Sequence, residues 1–276
     1  MTRRTLSPRQ RGFALLIVLW SMALLALIGT RITAAGHAET RLAINLRSEA
    51  VAEAAADGAV FEGLYRVLGG SGVHWPADGQ PRRIRLPQAV ADVAVFDESQ
   101  KVTLNNSALP VLEGLLRAVG VERSLAITLS AQIGDWRSPA QFPLPQGAKA
   151  PQYKAAGRDW GPPNQPFRSM DELALVLSMT PEILERLRPY VSPWVDSSPR
   201  MDVAAPVIQA ALSEAAAAGA PPLVFDEPAT LTIVAVAVSD TGGRFARRMV
   251  VRLNGELGAD PSRPPYYVLD WDQVPG

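Results

Sequence analysis

The sequence predicts an α+β fold in which a long N-terminal helix precedes an antiparallel sheet and a large all-α domain is inserted between the strands. Three observations predict it. A helical pattern runs from Phe13 to Leu68 without a proline. Strand-like segments stand at residues 82–104 and again at 229–272, and a series of short helical segments lies between them. Helix, strands, helices, strands in that order describe an α+β domain with an insertion, not an alternating βαβ chain.

The first element begins with Arg3, Arg4, Arg9 and Arg11 and no acidic residue, followed by Gly12 and an uncharged run of 18 residues from Phe13 to Thr30. A helix of that length spans ~27 Å, close to the hydrocarbon core of a bilayer. The basic flank keeps residues 1–12 on the cytoplasmic side and sends the remainder across. A secretory signal cut near Thr33-Ala34-Ala35-Gly36 would discard the helix that continues beyond it. Leu42, Leu46, Ala50, Ala54, Phe61, Tyr65 and Leu68 recur at helical steps and predict an apolar face, which Gly69-Gly70 terminates.

RRIRL and DVAVFDESQKVTL read as strands, the second turning at Asp97-Glu98-Ser99. Asn106 or Ser107 is placed to cap the helix that follows. LAITLSAQIGDWRS is an apolar helix ending at Trp136, and the loop after it contains Pro139, Pro143, Pro145 and Pro151. Ser169 with Glu172 forms a capping-box pattern, Thr180-Pro181-Glu182 starts another helix, and Pro189 stops it. MDVAAPVIQAALSEAAAAG returns a helix; ATLTIVAVAVS, RFARRMVVRLN and YYVLDWD supply three more strands, with a turn at Asp240 to Gly243.

Composition excludes several chemistries. The 27 basic and 27 acidic residues cancel, so no global field points to nucleic acid, and the absence of cysteine removes disulfides, thiol nucleophiles and zinc ribbons together. His37 and His74 are the only histidines and stand at no metal-ligand spacing; no Gly-x-Ser-x-Gly elbow accompanies the serines. Gly69-Gly70-Ser71-Gly72 ends a helix and reads as a connector, not a phosphate loop. The paired helices Met170 to Leu177 and Pro181 to Leu187 have the spacing of a helix-hairpin-helix module, yet the turn Ser178-Met179-Thr180 lacks a glycine hairpin and a basic cluster. No enzymatic constellation emerges.

The basic leader ending in Gly12, with a long half-buried helix behind it, resembles the type IV pilin superfamily. Members of that superfamily usually have a glutamate at the fifth mature position, where this chain has Ile17. That departure matches the K-type minor pseudopilins of type II secretion systems (general secretion pathway protein K). DESQKVTLNNSALPVLEGLLRAVG, FRSMDELALV and TPEILERLRPYV resemble the same family. The resemblance implies a prepilin-type leader of residues 1–12, cut by a prepilin peptidase between Gly12 and Phe13, with N-methylation of Phe13. It implies a transmembrane helix 13–30 as the first part of a long helix 13–68, a pilin-like α+β domain of residues 31–106 and 200–276, and an inserted α-helical domain of residues 107–199. The implied setting is single-pass in a bacterial inner membrane, the N-terminus cytoplasmic and the body periplasmic. The implied partners are the I- and J-type minor pseudopilins, with the H type, in a tip complex that starts or caps a periplasmic pseudopilus for protein export. A minor pilin of a type IV pilus and a single-pass anchored binding protein with a helix-hairpin-helix-like module remain open as other readings.

K-type pseudopilins commonly bind calcium through acidic residues in the loop after the motif tryptophan. Here that loop, WRSPAQFPLPQGAKAPQYK, has no carboxylate between Trp136 and Asp159. Calcium takes six to eight oxygen ligands, usually several of them carboxylates. The expectation is therefore no cofactor, with Asp135, Asp159 and Asp171 as the remaining calcium candidates.

Overall fold

Small side chains decide where the long helix meets the sheet. The computed structural model describes residues 8–69, 74–220, 229–254 and 264–274, the side chains of 8–12, 14 and 29–38 lying outside the description. Helix α1 runs from Pro8 to Val67. Its buried residues include Ser48, Ala52, Ala55, Ala56, Ala59, Val60, Leu64 and Val67, with Gly63 in the same stripe. At Gly63 an added Cβ would stand 2.9 Å from Val93 Cγ1 and 3.2 Å from Ile233 Cγ2, so the helix backbone lies directly on the sheet.

The face predicted from sequence is the wrong one. Leu42, Leu46, Phe61 and Tyr65 are exposed, as are Ala50 and Ala54. A helix that approaches a sheet this closely favours alanine, glycine and serine at the contact, with Val60, Leu64 and Val67 the larger residues buried toward its C-terminal end. Phe61 stacks on Trp271 of the sheet with ring centroids 5.5 Å apart.

The sheet has five antiparallel strands in the order β1-β2-β5-β6-β7: Arg82–Leu86, Ala89–Asp97, Thr230–Ser239, Arg244–Leu253 and Tyr266–Gln273. Four are bounded within a residue of the predicted segments, whereas β2 begins at Ala89, three residues before the strand read from sequence, and the Lys101–Leu104 end of that reading leaves the sheet, Val102–Thr103 pairing with Val191–Ser192 instead. β2 and β5 are neighbours although residues 98–229 separate them, and Asp97 lies opposite Leu231. The chain thus leaves the sheet and re-enters it at adjacent points, a geometry that lets a whole unit be inserted without disturbing the pairing.

That unit contains β3 (Val102–Thr103), α2 (Leu109–Ala118), α3 (Arg123–Arg137), α4 (Ala150–Ala155), α5 (Pro181–Leu187), β4 (Val191–Ser192) and α6 (Pro206–Ala217). It is not wholly helical, since β3 and β4 form a two-residue parallel pair, Val102 opposite Val191 and Thr103 opposite Ser192. Its core extends from Val102 and Leu104 through Leu112, Leu129, Trp136 and Leu173 to Ile208, Leu212 and Ala215. Expected edges at residues 107 and 199 are therefore too narrow. α6 packs on α2, where a Cβ at Gly114 would meet Ala211 Cα at 3.2 Å, and Arg117 pairs with Glu214 across the contact.

Capping differs in places from the sequence pattern. Thr180 does cap α5, its Oγ1 accepting the Ile183 N–H at 3.3 Å. Neither Asn106 nor Ser107 caps α2: the N-cap is Ala108, with Pro110 in the first turn supplying the start. Residues 171–175 form a 3₁₀ helix instead of an α-helix, and Glu172 makes no capping box with Ser169.

Three polar clamps fix the layers. Arg247 donates to Asp57 at 2.6 Å and to Glu53 at 3.0 Å on α1, with its guanidinium over the Trp271 ring at 5.1 Å. Ser48 Oγ accepts the Gly243 N–H at 2.7 Å, hooking the β5–β6 turn onto α1. Arg252 donates to the Trp194 carbonyl at 2.6 Å, holding the end of the inserted unit on the opposite face.

Gly63→Val is expected to force α1 off the sheet and to cost about 1–3 kcal/mol, the usual penalty of overpacking. Gly58 has nothing within 4 Å of its would-be Cβ, so Gly58→Ala should stabilise by about 0.5–1 kcal/mol through helix propensity. Thermal melting of the two variants beside the parent checks both signs.

Candidate functional site

The inserted unit is organised around the end of α3, where Asp135, Trp136, Arg137 and Ser138 follow one another. Trp136 is buried and stacks on Phe167 with centroids 5.8 Å apart, while Tyr153 tilts against it at 6.3 Å. Its Nε1–H donates to Glu172 Oε2 at 3.2 Å; the other oxygen of Glu172 accepts the Arg168 N–H at 3.0 Å. Glu172 thus joins the FRSMDELALV segment to the tryptophan.

Arg137 reaches in the other direction, donating to the carbonyls of Leu104 and Ser107. Burial pushes its guanidinium down to about 10, which leaves it charged at neutral pH. Asn105 completes the fastening: its Nδ2 donates to the Phe167 and Pro193 carbonyls at 3.1 and 2.9 Å, and its Oδ1 accepts the Phe167 N–H at 2.7 Å. The LNN motif is thus a staple between the start of the unit and two later loops.

Asp135 is buried, and its carboxylate accepts the Leu144 N–H at 3.0 and 3.2 Å. Burial raises its pKa, while the Leu144 amide and the charge of Lys149 pull the other way. Lys149, also buried, donates from Nζ to the Asp135 carbonyl at 2.6 Å, the Ser138 carbonyl at 2.7 Å and Asn164 Oδ1 at 2.7 Å. Burial lowers its pKa and Asp135 raises it.

The three calcium candidates are not assembled into one site. Asp135 is engaged as described, Asp159 is exposed, and Asp171 faces Arg188 at 3.5 Å. Among the described residues no group of three or more histidine, cysteine, aspartate or glutamate side chains is arranged to hold a metal. His74 is exposed in the segment before β1, and the side chain of His37 lies outside the described residues. The helix-hairpin-helix candidate contributes Leu173, Ile183, Leu184 and Leu187 to the core.

Beside Trp136 a shallow cleft of about 300 Å³ is lined by Trp160, Pro163, Pro166, Arg168 and Glu172. Both oxygens of Glu172 already accept hydrogen bonds, so the cleft offers rings, the Gln165 amide and one guanidinium. Such a surface suits contact better than proton transfer.

At the other end of the chain, residues 1–7 of the expected leader lie outside the described residues, and α1 carries helical backbone through Gly12 and Phe13. Phe13 and Ile17 are 69% and 54% exposed. The expected span 13–30 includes Ala14, Gly29 and Thr30, whose side chains are outside the description. Among the described residues no helix is long and apolar enough to cross a membrane.

Residues 88–195, from the start of β2 to just past β4, match the family described as type II secretion system (T2SS), protein K. A curated relative, the type II secretion system protein K of Pectobacterium carotovorum subsp. carotovorum, is 28% identical over 205 residues. That alignment covers 66% of this chain and 62% of the relative, so it spans about three fifths of the curated protein's length. A solved chain from the GspK-GspI-GspJ complex of the enterotoxigenic Escherichia coli type 2 secretion system superposes with a TM-score of 0.65. It has 15% identity and covers 86% of this chain and 100% of that one, a likeness of fold. The match to protein K includes Asn105, Trp136, Arg137, Lys149 and Glu172. Sequence reading singled out the tryptophan, and Glu172 only as a capping-box residue, but neither Arg137 nor Lys149, whose roles depend on segments far along the chain. One signal was available for Lys149: only three of the 27 basic residues are lysines.

Trp136→Phe and Glu172→Leu should each destabilise by about 1–3 kcal/mol by leaving a buried partner unpaired, and the double variant should cost less than the sum. A denaturant double-mutant cycle reads this coupling. Tyr153 gives a pH signature. Its hydroxyl accepts the Leu177 N–H at 3.1 Å, and burial pushes it up to about 12. Unfolded tyrosine titrates near 10, so this contribution is complete below ~pH 10 and is lost as pH rises through about 12. Phenolate absorbance should show one of the five tyrosines ionising last, together with alkaline unfolding, and Tyr153→Phe should abolish that late step.

Proposed function

We propose that this protein is a non-enzymatic minor pseudopilin of a type II secretion system, which joins I- and J-type minor pseudopilins, with the H type, at the tip of a periplasmic pseudopilus. The observation that carries the reading is the helical unit inserted between β2 and β5 of a sheet borne by a 60-residue helix, coincident with the protein K match at 88–195. The E. coli chain of similar fold is named in complex with GspI and GspJ; by extension, those component types are the partners expected here.

The leader is removed between Gly12 and Phe13 by a prepilin peptidase, and the new amine of Phe13 is methylated. Residues 13–30 then hold the chain in the inner membrane, with the body in the periplasm. Support comes from the four arginines before Gly12 and the uncharged run after it. Leu15, Leu16, Val18, Leu19 and Trp20 are all more than half exposed, apolar surface of a kind that soluble monomers rarely present. Farther along α1 the outward Leu42, Leu46 and Tyr65 supply the face on which a neighbouring subunit's helix would pack.

Ile17 bears on position in the filament. A buried glutamate at that place can neutralise the terminal amine of a neighbour, offsetting part of a desolvation cost of several kcal/mol. Ile17 cannot. It leaves the Phe13 amine able to pair with another subunit's carboxylate but offers none in return, which suits the terminal subunit.

Mass spectrometry of the membrane-extracted chain should find Phe13, methylated, as the N-terminal residue, and Gly12→Val should accumulate the longer form. An N-terminus at Gly36 or His37 would instead indicate a secretory signal. Cysteine cross-links from positions 13 and 17 to other minor pseudopilins should occur only at the filament end; links at regular intervals along it would reject the terminal placement.

A further inference from the structure

The loops that follow Trp136 have little secondary structure and one buried cation. Between α3 and α5 the chain forms only the short α4 and a 3₁₀ turn. Backbone strain is concentrated here: among the described residues the two non-glycine residues with positive φ are Gln146 at 63° and Asn164 at 57°. Such conformations persist only where surrounding contacts over-determine them. Gln146 lies in the turn closed by the Gly147 N–H on the Leu144 carbonyl at 2.8 Å, and Asn164 is held by Lys149. Its ammonium has three donors, and all three are spent, on the Asp135 and Ser138 carbonyls and on Asn164 Oδ1, at 2.6–2.7 Å. The first two acceptors end α3 and the third lies in the later loop, so a single charged atom joins both sides. The lysine is 4% exposed, and Gly147, two residues before it, lies so close to the Asp135 carboxylate that a Cβ would be 1.9 Å from Oδ2.

The K-type resemblance implies a calcium ion in this loop, and the residues present do not fit one. Calcium needs six to eight oxygens, several of them anionic. Here the inward-facing set is two backbone carbonyls and one amide oxygen, gathered on an ammonium, and the one nearby carboxylate is turned to the Leu144 amide. Neither Asp159 nor Asp171 joins them. An arginine could not replace the lysine, because a planar fork does not converge three donors on three oxygens around one point.

We propose that the Lys149 ammonium is a covalently attached cation that orders the loop after Trp136, so that this chain neither needs nor takes calcium there. The loop then stays ordered whatever the divalent-ion concentration outside.

The test uses the full chain purified in detergent. With excess EDTA or with millimolar calcium, the melting temperature and the rate of proteolysis within residues 138–149 should be the same, and calorimetric titration with calcium should give no saturable heat. Lys149→Met should speed cleavage in that loop about tenfold or more, the loss of at least one charge-assisted hydrogen bond. Lys149→Asp, which exchanges the ammonium for a carboxylate, should acquire calcium-dependent protection. A wild-type chain that loses protection in EDTA, or binds calcium stoichiometrically, would overturn the proposal, as would Lys149→Met with unaltered proteolysis. The wild-type measurements decide the question even where a variant does not fold.

Discussion

β6 serves two cores at once, and the other layers depend on that alternation. Met249 and Val251 enter the core shared with α1, while Val250 between them enters the core of the inserted unit. Successive side chains of a strand point to opposite faces, so a slip of one residue would exchange the two sets. Arg247 would leave Glu53 and Asp57, and Arg252 would leave the Trp194 carbonyl. The register of β6 on β5, with Ile233 opposite Met249 and Leu231 opposite Val251, is therefore specified from both sides of the sheet. This is also why the inserted unit has a defined place: its return segment is fastened to the same strand that carries α1.

Within the inserted unit the organising device is a helix end. Consecutive residues of an α-helix point about 100° apart, so four in a row cover the whole circumference. Asp135 faces the Leu144 amide, Trp136 faces Phe167 and Glu172, Arg137 faces Leu104 and Ser107, and the Ser138 carbonyl receives Lys149. Each engages a different stretch of chain. The short motif GDWRS thereby gathers the segments around 104–107, 144–149 and 164–172, most of which have no regular structure of their own. Hydrogen bonds to backbone groups predominate, which suits loops whose amides and carbonyls have no ladder to join.

The protein K family match and this network coincide in residues 88–195. The matched segment excludes α1 entirely and comprises β2 and most of the helical unit, while the long helix carries the general architecture. A surface of rings, prolines and one guanidinium beside Trp136, together with outward apolar residues on α1, describes a molecule made for contacts along two separate faces.

The sequence by itself determined what depends on neighbours along the chain. The proline-free run of α1, four of the five sheet strands, the Thr180-Pro181 start of α5 and the α+β order are local patterns of period, cap and turn, and they stand in the structure as read, while β2 is shifted to 89–97. The identity of the buried face of α1 was not local. Leucine and phenylalanine periodicity pointed to one side, but the distance of closest approach to the sheet selected Ala52, Ala56, Ala59 and Gly63 on another. Ser107 had the chemistry of a cap, yet the chain turns into α2 one residue later. Lys149 stands in a proline-rich loop where no local pattern marks it. Only the tertiary structure decided that two carbonyls and an amide oxygen converge on it, because acceptors from residues 135, 138 and 164 become neighbours only when the loops close. A charge is buried where its partners are, and partners distant in sequence carry no local signal of their meeting.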